Sequence, residues 1–464
     1  MLFSSNVFLF FFMPSALIIY YVVLKKTLVG RNLFLLIISL LFYAWGEPIY
    51  VLLILFSLTV NYFCGRIIGK KNRFRKTALI IGIIINIGIL FVFKYLDFSI
   101  GIINSVFRAS IPLVSLALPI GISFYTFQGV SYLIDVYRGD GSAQKNFLNV
   151  GLYISFFPQL IAGPIVRYSQ IERQLTERVH SMEKFRRGAE RFICGLAKKV
   201  LLANNLALVA DNAFLLLDQG ALSVLMAWLG CAAYTLQIFF DFSGYSDMAI
   251  GLGLMFGFEI PENFNYPYIA GSVSDFWRRW HMTLQGWFRD YVYIPLGGNR
   301  VGAVRHIFNI FLVWFLTGLW HGANWTFIFW GLMYFVLLVL EKWLHTDKWP
   351  KWIGHIYTLL FVMLGWMIFR ADSLSDGFRY IGSMFSLTGN TGVDSNALLY
   401  LKEYAFFFVF GIVISLPIIK AMNNAFAKKR WWYYTKTLLL IVILILSISY
   451  LVTGSYNPFI YFNF

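Results

Sequence analysis

Two histidines lie in aromatic, largely apolar stretches of this sequence. His321 occurs in LTGLWHGANW, between two tryptophans, and His281 occurs in DFWRRWHMTLQGWFRDY beside Arg278 and Arg279. Histidine exchanges protons near neutral pH and often serves as a general acid or base. Ionisable side chains within membrane segments are costly and usually functional. Both histidines are therefore candidates for acid–base chemistry, and hydrogen-bonded packing is the alternative interpretation of each.

Other kinds of reactive site lack their sequence patterns. No HExxH pattern or carboxylate cluster accompanies the histidines, and the cysteines Cys64, Cys194 and Cys231 form no CxxC pair. These absences from the sequence argue against a zinc site and a disulfide framework. The sequence also has no GxSxG elbow, P-loop or dinucleotide fingerprint. We therefore expect no bound metal, no bound cofactor and no nucleophilic serine.

The composition indicates the solvent in which these histidines work. The 464 residues are 59% hydrophobic and only 13% charged, with a mean hydropathy of +0.69. Soluble domains are about 45–50% apolar and about 25% charged. The net charge of +16 comes from basic residues in short loops beside apolar runs. That pattern is typical of membrane-protein orientation rather than nucleic-acid binding. A basic cytoplasmic mouth would also attract an anionic donor.

Apolar segments that could position the histidines occur along the whole chain, and several are short or interrupted by glycine and proline. Interrupted backbone is tolerated at membrane depth where protein or a water-filled cavity satisfies it, so these segments indicate a cavity. The predicted segments are 5–24, 32–45, 49–64, 77–94, 111–134, 147–163, 199–217, 221–240, 242–258, 304–319, 324–341, 352–370, 403–419 and 437–453.

Loop charge predicts the orientation of both ends of the chain. The basic loops at 25–31, 66–76 and 428–430 are expected on the cytoplasmic side, and the acidic segment 372–394 on the other. The C-terminal motif FIYFNF then falls outside. Residues 95–303 do not resolve into a consistent topology, although we expect a polar cytoplasmic surface helix over 167–192. No internal repeat or linker is evident, so we expect a single membrane domain over residues 1–464.

A family resemblance rests on several long motifs in a fixed order. They are ISFYTFQGVSYLIDVYRG, FFPQLIAGPIVRY, FDFSGYSDMAIGLGLMFGFEIPENFNYPY, FWRRWHMTLQ, GLWHGANWTFIFWG, WMIFRA and FIYFNF. Together they resemble the membrane-bound O-acyltransferase (MBOAT) family, and within it the alginate O-acetyltransferase-like bacterial branch. The resemblance implies an all-α polytopic protein of the bacterial cytoplasmic membrane. It implies a ring of about 11 or more transmembrane helices, with re-entrant and interfacial helices, around a central tunnel.

The resemblance also implies an activity and its partners. The donor would be cytoplasmic acetyl-CoA, and the acetyl group would cross the membrane to an exported or cell-wall polysaccharide. His321 corresponds to the family's invariant histidine and would be the base. An extracytoplasmic SGNH-type acetyltransferase or esterase would complete the transfer. Contact with membrane lipid is expected, and contact with nucleic acid is not.

Other residues receive expected roles from the same resemblance and from their context. His281, with Arg278 and Arg279, is expected to steer the CoA phosphates or polarise the thioester. Tyr461 in the C-terminal motif is expected to accept the acetyl group and relay it.

Near His321, Trp320 and Asn324 are candidates to orient the imidazole or stabilise an oxyanion. Gly322 is expected to leave room for substrate. Tyr245 and Asp247, polar residues in an apolar run, are expected to line the tunnel or stabilise the fold.

Two rival functions stay open at this point. One is D-alanyl transfer to teichoic acid by a related enzyme, and the other is a polysaccharide transporter or flippase. Broken helices and a polar path would serve a transporter as well. The C-terminal aromatic motif on the same chain favours the alginate-type branch. The sequence identifies neither the acceptor polysaccharide nor the oligomeric state, and it does not distinguish acetyl from another short acyl group.

Overall fold

A computed structural model describes residues 1–454 and 456–460 of the chain. Within those residues the secondary structure is helical and includes no strand, which confirms the all-α prediction. Internal contacts divide the chain into two compact units. Unit 1 comprises residues 1–192 and 246–261, and unit 2 comprises residues 193–245 and 262–464. A single domain over residues 1–464 stays a prediction.

Unit 1 is built from apolar helices. Its buried interior includes an amide pair between neighbouring helices, in which Asn61 and Asn86 each donate an Nδ2–H to the other's Oδ1, at 3.1 and 3.0 Å. Such reciprocal bonds satisfy buried amides that would otherwise be costly. Its helical segments are Phe8–Phe12, Met13–Ile18, Ile19–Val23, Leu28–Ala44, Val51–Gly69, Arg75–Lys94, Leu96–Phe107, Ile122–Arg138, Phe147–Ser155, Phe157–Leu160, Tyr168–Ile171 and Glu172–Leu175.

Unit 2 contains both candidate histidines and an aromatic-rich core. Two long helices, Met182–Ala197 and Val224–Met255, belong partly to each unit. The other helical segments of unit 2 are Lys198–Ala203, Asn204–Asp218, Pro267–Ile269, Val273–Arg279, Met282–Phe288, Arg289–Tyr293, Ala303–His321, Trp325–Leu344, Thr346–Lys348, Lys351–Arg370, Leu374–Met384, Ser395–Ser415, Ile418–Phe426 and Arg430–Thr453.

The described residues include nine helices that are long and apolar enough to cross a membrane. They are Val51–Gly69, Arg75–Lys94, Met182–Asp218, Val224–Met255, Ala303–His321, Trp325–Leu344, Lys351–Arg370, Ser395–Ser415 and Arg430–Thr453. Shorter apolar helices occur at Phe8–Val23, Leu28–Ala44 and Leu96–Phe107. The chain is therefore a multi-pass membrane protein.

Four predicted segments differ from the observed helices, at three places in the chain. The segments 221–240 and 242–258 form one helix, Val224–Met255, because Asp241 between them is paired with Lys199 and does not interrupt the helix. The segment 111–134 is helical only from Ile122, after Pro112 and Pro119, whose missing N–H groups disfavour a helix.

The third difference lies in 167–192, which is not one surface helix. The Arg178 guanidinium is buried and donates to the Tyr20 hydroxyl at 3.1 Å and to Asn32 Oδ1 at 2.8 Å. These long-range bonds hold the chain in a non-helical conformation between Glu172–Leu175 and Met182–Ala197.

Candidate active site

His281 is buried between two short helices of unit 2. Its side chain is 1% exposed, and it lies between Val273–Arg279 and Met282–Phe288. Its backbone φ is +45°, in the left-handed region that non-glycine residues rarely occupy. Such strain persists only where the surroundings impose it, and it is often found at functional sites.

Asn263 fixes the tautomer of the His281 imidazole. Asn263 Oδ1 accepts the backbone N–H of Thr283 at 3.3 Å and the Thr283 hydroxyl at 2.8 Å, so this atom is the amide oxygen. The same oxygen lies 3.1 Å from His281 Nδ1, which must therefore carry the proton and donate it. His281 Nε2 is then the unprotonated nitrogen. This buried atom has no hydrogen-bond partner among residues 1–454 and 456–460.

The electrostatics of His281 favour a neutral ring. Burial lowers the pKa of His281 to about 3, at a position outside the nine candidate membrane spans. A neutral imidazole with its proton on Nδ1 presents a hydrogen-bond acceptor at Nε2. The roles expected for His281, steering the CoA phosphates or polarising the thioester, stay predictions.

A buried carboxylate anchors the helix that precedes His281. Glu341 accepts the backbone N–H groups of Val273 and Ser274, at 2.5 and 2.9 Å, and the Ser274 hydroxyl at 2.7 Å. The first N–H groups of a helix need such partners, and negative charge is favourable at that end. Ser272 completes the cap, because its hydroxyl accepts the Asp275 N–H at 3.0 Å. These contacts fix the approach of the chain to His281.

The two arginines near His281 differ in availability. Arg279 forms an ion pair with Asp275, with Nε 3.0 Å from the carboxylate, and donates to the Asn265 carbonyl at 3.3 Å. Arg278 is exposed and forms no ion pair with any residue that the structure describes. Of the two, Arg278 is the guanidinium that remains available for an anionic donor.

His321 lies within an aromatic cage and is 5% exposed. It is the C-terminal residue of the helix Ala303–His321. Its ring contacts Trp320, Trp330 and Phe369, with ring centroids at 4.9, 5.0 and 5.1 Å. Trp320 also contacts His281, at 5.7 Å between centroids. The two candidate histidines therefore flank one indole, which supports treating them as parts of a single site.

The residues after His321 serve mainly to turn the chain. Asn324 caps the helix Trp325–Leu344, since its Oδ1 accepts the Thr326 N–H at 3.1 Å, and its Nδ2 donates to the Asp372 carbonyl at 3.0 Å. A Cβ added to Gly322 would lie 2.2 Å from the Phe327 ring. Gly322 therefore admits this phenylalanine, and the space expected for substrate at this glycine is filled.

A cavity of about 310 Å³ lies beside the aromatic cage. Phe369, which contacts His321, also lines this cavity. The other residues that line the cavity include several aromatic and charged side chains. They are Phe214, Leu217, Asp218, Tyr234, Asn324, Thr326, Phe327, Arg370, Ala371, Asp372, Asp376 and Ile460. A polar cavity one aromatic ring away from an imidazole suits a hydroxyl acceptor.

The C-terminal segment, residues 456–460, binds within unit 2. The Tyr456 hydroxyl bonds to the Asp211 carboxylate, and Asn457 Oδ1 accepts from Asn204 Nδ2 at 3.2 Å. Phe459 contacts Tyr245, with ring centroids 5.1 Å apart. Tyr461, the expected relay, lies outside the described residues, and its role stays a prediction.

Tyr245 and Asp247 fall in different units. Tyr245 is buried and packs against Phe459 as described above. Asp247 belongs to unit 1, where its carboxylate lies 2.7 Å from Arg191 Nη2. An ion pair of this kind accounts for Asp247 as a structural residue. A tunnel-lining role for either residue stays a prediction.

Two residues with evident roles escaped the sequence analysis. Asn263 lies in the quoted motif EIPENFNYPY, but only the fold shows that its amide meets His281. Lys199 follows Lys198 at the start of an apolar run, and a lysine in such a run is a recognised indicator of function.

Comparison with known proteins identifies the family. The sequence profile of the membrane-bound O-acyltransferase family matches residues 142–374, a range that contains His281 and His321. The chain is 44% identical to the probable alginate O-acetylase AlgI of Azotobacter vinelandii, over 85% of this chain and 80% of that protein.

Two further relatives carry different names. The chain is 34% identical to the peptidoglycan O-acetyltransferase of Helicobacter pylori, over 100% of this chain and 98% of that protein. It is 31% identical to the teichoic acid D-alanyltransferase of Bacillus subtilis, over 54% of this chain and 68% of that protein. An all-helical membrane fold with a caged histidine and this set of relatives defines an acyl-transferring membrane enzyme. The chain belongs to the membrane-bound O-acyltransferase family.

Proposed function

We propose that this protein moves an acetyl group from cytoplasmic acetyl-CoA across the bacterial cytoplasmic membrane for O-acetylation of an exported or cell-wall polysaccharide. The names of two of its relatives, an alginate O-acetylase and a peptidoglycan O-acetyltransferase, support the substrate class. The observation that carries the proposal is Phe369, which contacts the His321 ring and also lines the 310 Å³ cavity.

The chemistry assigned to His321 is general-base catalysis. An acceptor hydroxyl is a weak nucleophile, and an imidazole within hydrogen-bond reach activates it by taking its proton. The hydroxyl oxygen bonds to the acetyl carbonyl carbon while the bond between that carbon and the CoA sulfur breaks. The proton held by the imidazole then passes to the departing thiolate. The aromatic cage excludes water that would otherwise hydrolyse the thioester.

We assign His281 to the same site as a hydrogen-bond acceptor that orients a substrate group. Its Nε2 lone pair is buried and unprotonated, and its ring contacts Trp320, as the ring of His321 does. Arg278, exposed and without an ion pair among the described residues, is the candidate to bind a CoA phosphate. Arginine suits this task because its planar guanidinium presents several donors to phosphate oxygens.

In the proposed sequence, Tyr461 is the first acceptor. Its phenol oxygen takes the acetyl group, and an SGNH-type partner outside the membrane passes that group to a polysaccharide hydroxyl. Support comes from the bound C-terminal segment, because Ile460, the residue immediately before Tyr461, lines the cavity. Which polysaccharide is modified depends on that partner.

The donor is tested with purified protein in detergent. Release of free CoA thiol is followed after addition of acetyl-CoA, for wild type and for His321→Ala. Thiol release that disappears in a folded His321→Ala protein is expected. D-alanyl transfer is the rival, since a teichoic acid D-alanyltransferase is a relative. A D-alanyl thioester on a carrier protein is therefore supplied in a parallel reaction, and turnover of that donor alone would overturn the proposal.

A further inference from the structure

A buried ion pair binds the C-terminal segment. Lys199 Nζ lies 2.5 Å from Asp241, and the two side chains are 3% and 2% exposed. The residues belong to the candidate membrane spans Met182–Asp218 and Val224–Met255. Charges at such positions are expensive even when paired, because desolvation opposes their attraction. A structural ion pair is therefore an incomplete account of why both are present.

Each member of the pair also bonds to the backbone of the segment. Lys199 Nζ donates to the Pro458 carbonyl oxygen, and Asp241 Oδ2 accepts the Ile460 N–H at 2.9 Å. An ammonium can only donate and a carboxylate can only accept. The pair therefore requires a carbonyl at one position of the segment and an N–H two residues later. This requirement fixes the register of the segment without regard to its side chains.

The helix around Lys199 is shaped for this contact. Lys198–Ala203 is a π-helical turn, a feature often found at functional sites. The Lys199 ammonium also lies 5.7 Å from the centroid of Phe459, whose ring packs on Tyr245. Three successive residues of the segment, Pro458 to Ile460, thus contact the pair.

We propose that Lys199 and Asp241 are positioning residues for the acyl relay. By fixing the register of Pro458 and Ile460, they anchor the chain immediately before Tyr461. This inference rests on the proposed function, in which Tyr461 receives the acetyl group. It adds that the segment before the receiving tyrosine is held by backbone recognition from two membrane helices.

The test measures whether the C-terminal segment is held, before any acetyl-CoA is added. Full-length protein in detergent is treated with carboxypeptidase, and release of the C-terminal residues is followed by intact mass. The double variant Lys199→Met/Asp241→Leu removes both charges together, which avoids leaving one buried charge unpaired. Lys199→Arg retains the cation, and Arg289→Met removes an exposed ion pair of the same unit as a control.

A second variant leaves the ion pair intact. Ile460→Pro removes the N–H that bonds to Asp241 while leaving both charges in place, and Ile460→Val retains that N–H as its matched control. We expect at least tenfold faster trimming in the double variant and in Ile460→Pro. Lys199→Arg, Arg289→Met and Ile460→Val are expected to resemble wild type. Acetyl incorporation at Tyr461, and the thiol release coupled to it, should both fall at least tenfold in the variants that are trimmed faster.

The outcomes separate this inference from the proposed function. Wild-type trimming rates in both Ile460→Pro and a folded double variant would overturn the positioning role. Faster trimming together with no acetyl on Tyr461 in wild type would support the role of the pair in holding the segment and overturn the relay. A wild-type rate of acetyl incorporation at Tyr461 in variants that are trimmed faster would also contradict positioning, because the tyrosine would then reach the acetyl group without the register that the pair imposes.

Discussion

Asn263 offers the most informative perturbation of the site. Asn263→Leu keeps most of the side-chain volume and removes the oxygen that accepts His281 Nδ1–H at 3.1 Å. The buried donor left without a partner costs about 1–3 kcal/mol. The same bond holds the ring in the observed tautomer and orientation. At about tenfold per 1.4 kcal/mol, its loss lowers the population of that ring state, and with it kcat for acetyl transfer, by at most about 150-fold. The imidazole would also be free to adopt the tautomer with its proton on Nε2.

A matched control separates tautomer control from support of the helix Met282–Phe288. Asn263 Oδ1 also accepts the Thr283 hydroxyl at 2.8 Å, and Thr283→Val removes that bond while leaving the Asn263 oxygen in place for His281 Nδ1. A single neutral hydrogen bond contributes about 1 kcal/mol, so at most about a fivefold loss is expected. Asn263→Asp retains an acceptor for Nδ1. Its carboxylate should raise the pKa of His281 above the wild-type value of about 3 and should make activity fall at acidic pH.

The assay is single-turnover acetyl transfer from acetyl-CoA in detergent, with the folded fraction of each variant measured by size-exclusion chromatography. Full activity in a folded Asn263→Leu protein would refute the assignment of His281 to the site as a hydrogen-bond acceptor. Equal losses in Asn263→Leu and Thr283→Val would show that the helix start, rather than the tautomer, determines the rate.

Three further predictions concern stability. Burial lowers the pKa of His281 to about 3 in the folded protein, whereas the unfolded value is about 6.5. Between these values only the unfolded protein binds the proton, so the free energy of unfolding should decrease by about 1.4 kcal/mol for each unit by which the pH falls. Denaturant unfolding at about pH 4–8 measures this slope. Gly244→Ala would place a Cβ 2.8 Å from the Gly195 carbonyl oxygen and should destabilise the protein by about 1–3 kcal/mol. Gly286→Ala is the control, because no atom lies within 4 Å of its added Cβ, and it should leave stability unchanged. Thermal melting in detergent compares the two variants. Glu341→Gln leaves one side-chain oxygen for three donors, so it should lower the free energy of unfolding by about 1–3 kcal/mol and should lower transfer activity. A melting temperature equal to that of wild type would contradict the anchoring of the helix before His281.

Much of the fold follows from local properties of the sequence. Apolar length and the positions of proline predict most helices, and the start of one at Ile122 follows from Pro119 once the missing N–H is considered. The continuity of Val224–Met255 through Asp241 could not be predicted this way. It depends on Lys199, which is distant in sequence and close in space.

In the candidate site, too, local properties could be predicted from the sequence and contacts between distant residues could not. His281 and His321 were predicted from their residue type and apolar context, which are local properties. The tautomer of His281 was not, because it depends on an oxygen of Asn263 that is shared with Thr283. The role of Gly322 was misjudged because a glycine beside a candidate base suggests space, whereas the Phe327 ring fills that space.

In the proposed mechanism, His321 is the base for transfer of acetyl from CoA to Tyr461. This transfer is tested by incubating the detergent-purified protein with acetyl-CoA and determining the mass of its C-terminal peptide by tandem mass spectrometry, with His321→Ala and Tyr461→Phe alongside. An added acetyl group is expected on Tyr461 in wild type and in neither variant. A wild-type protein that consumes acetyl-CoA without labelling Tyr461, or a His321→Ala protein that labels it at the wild-type rate, would contradict this mechanism.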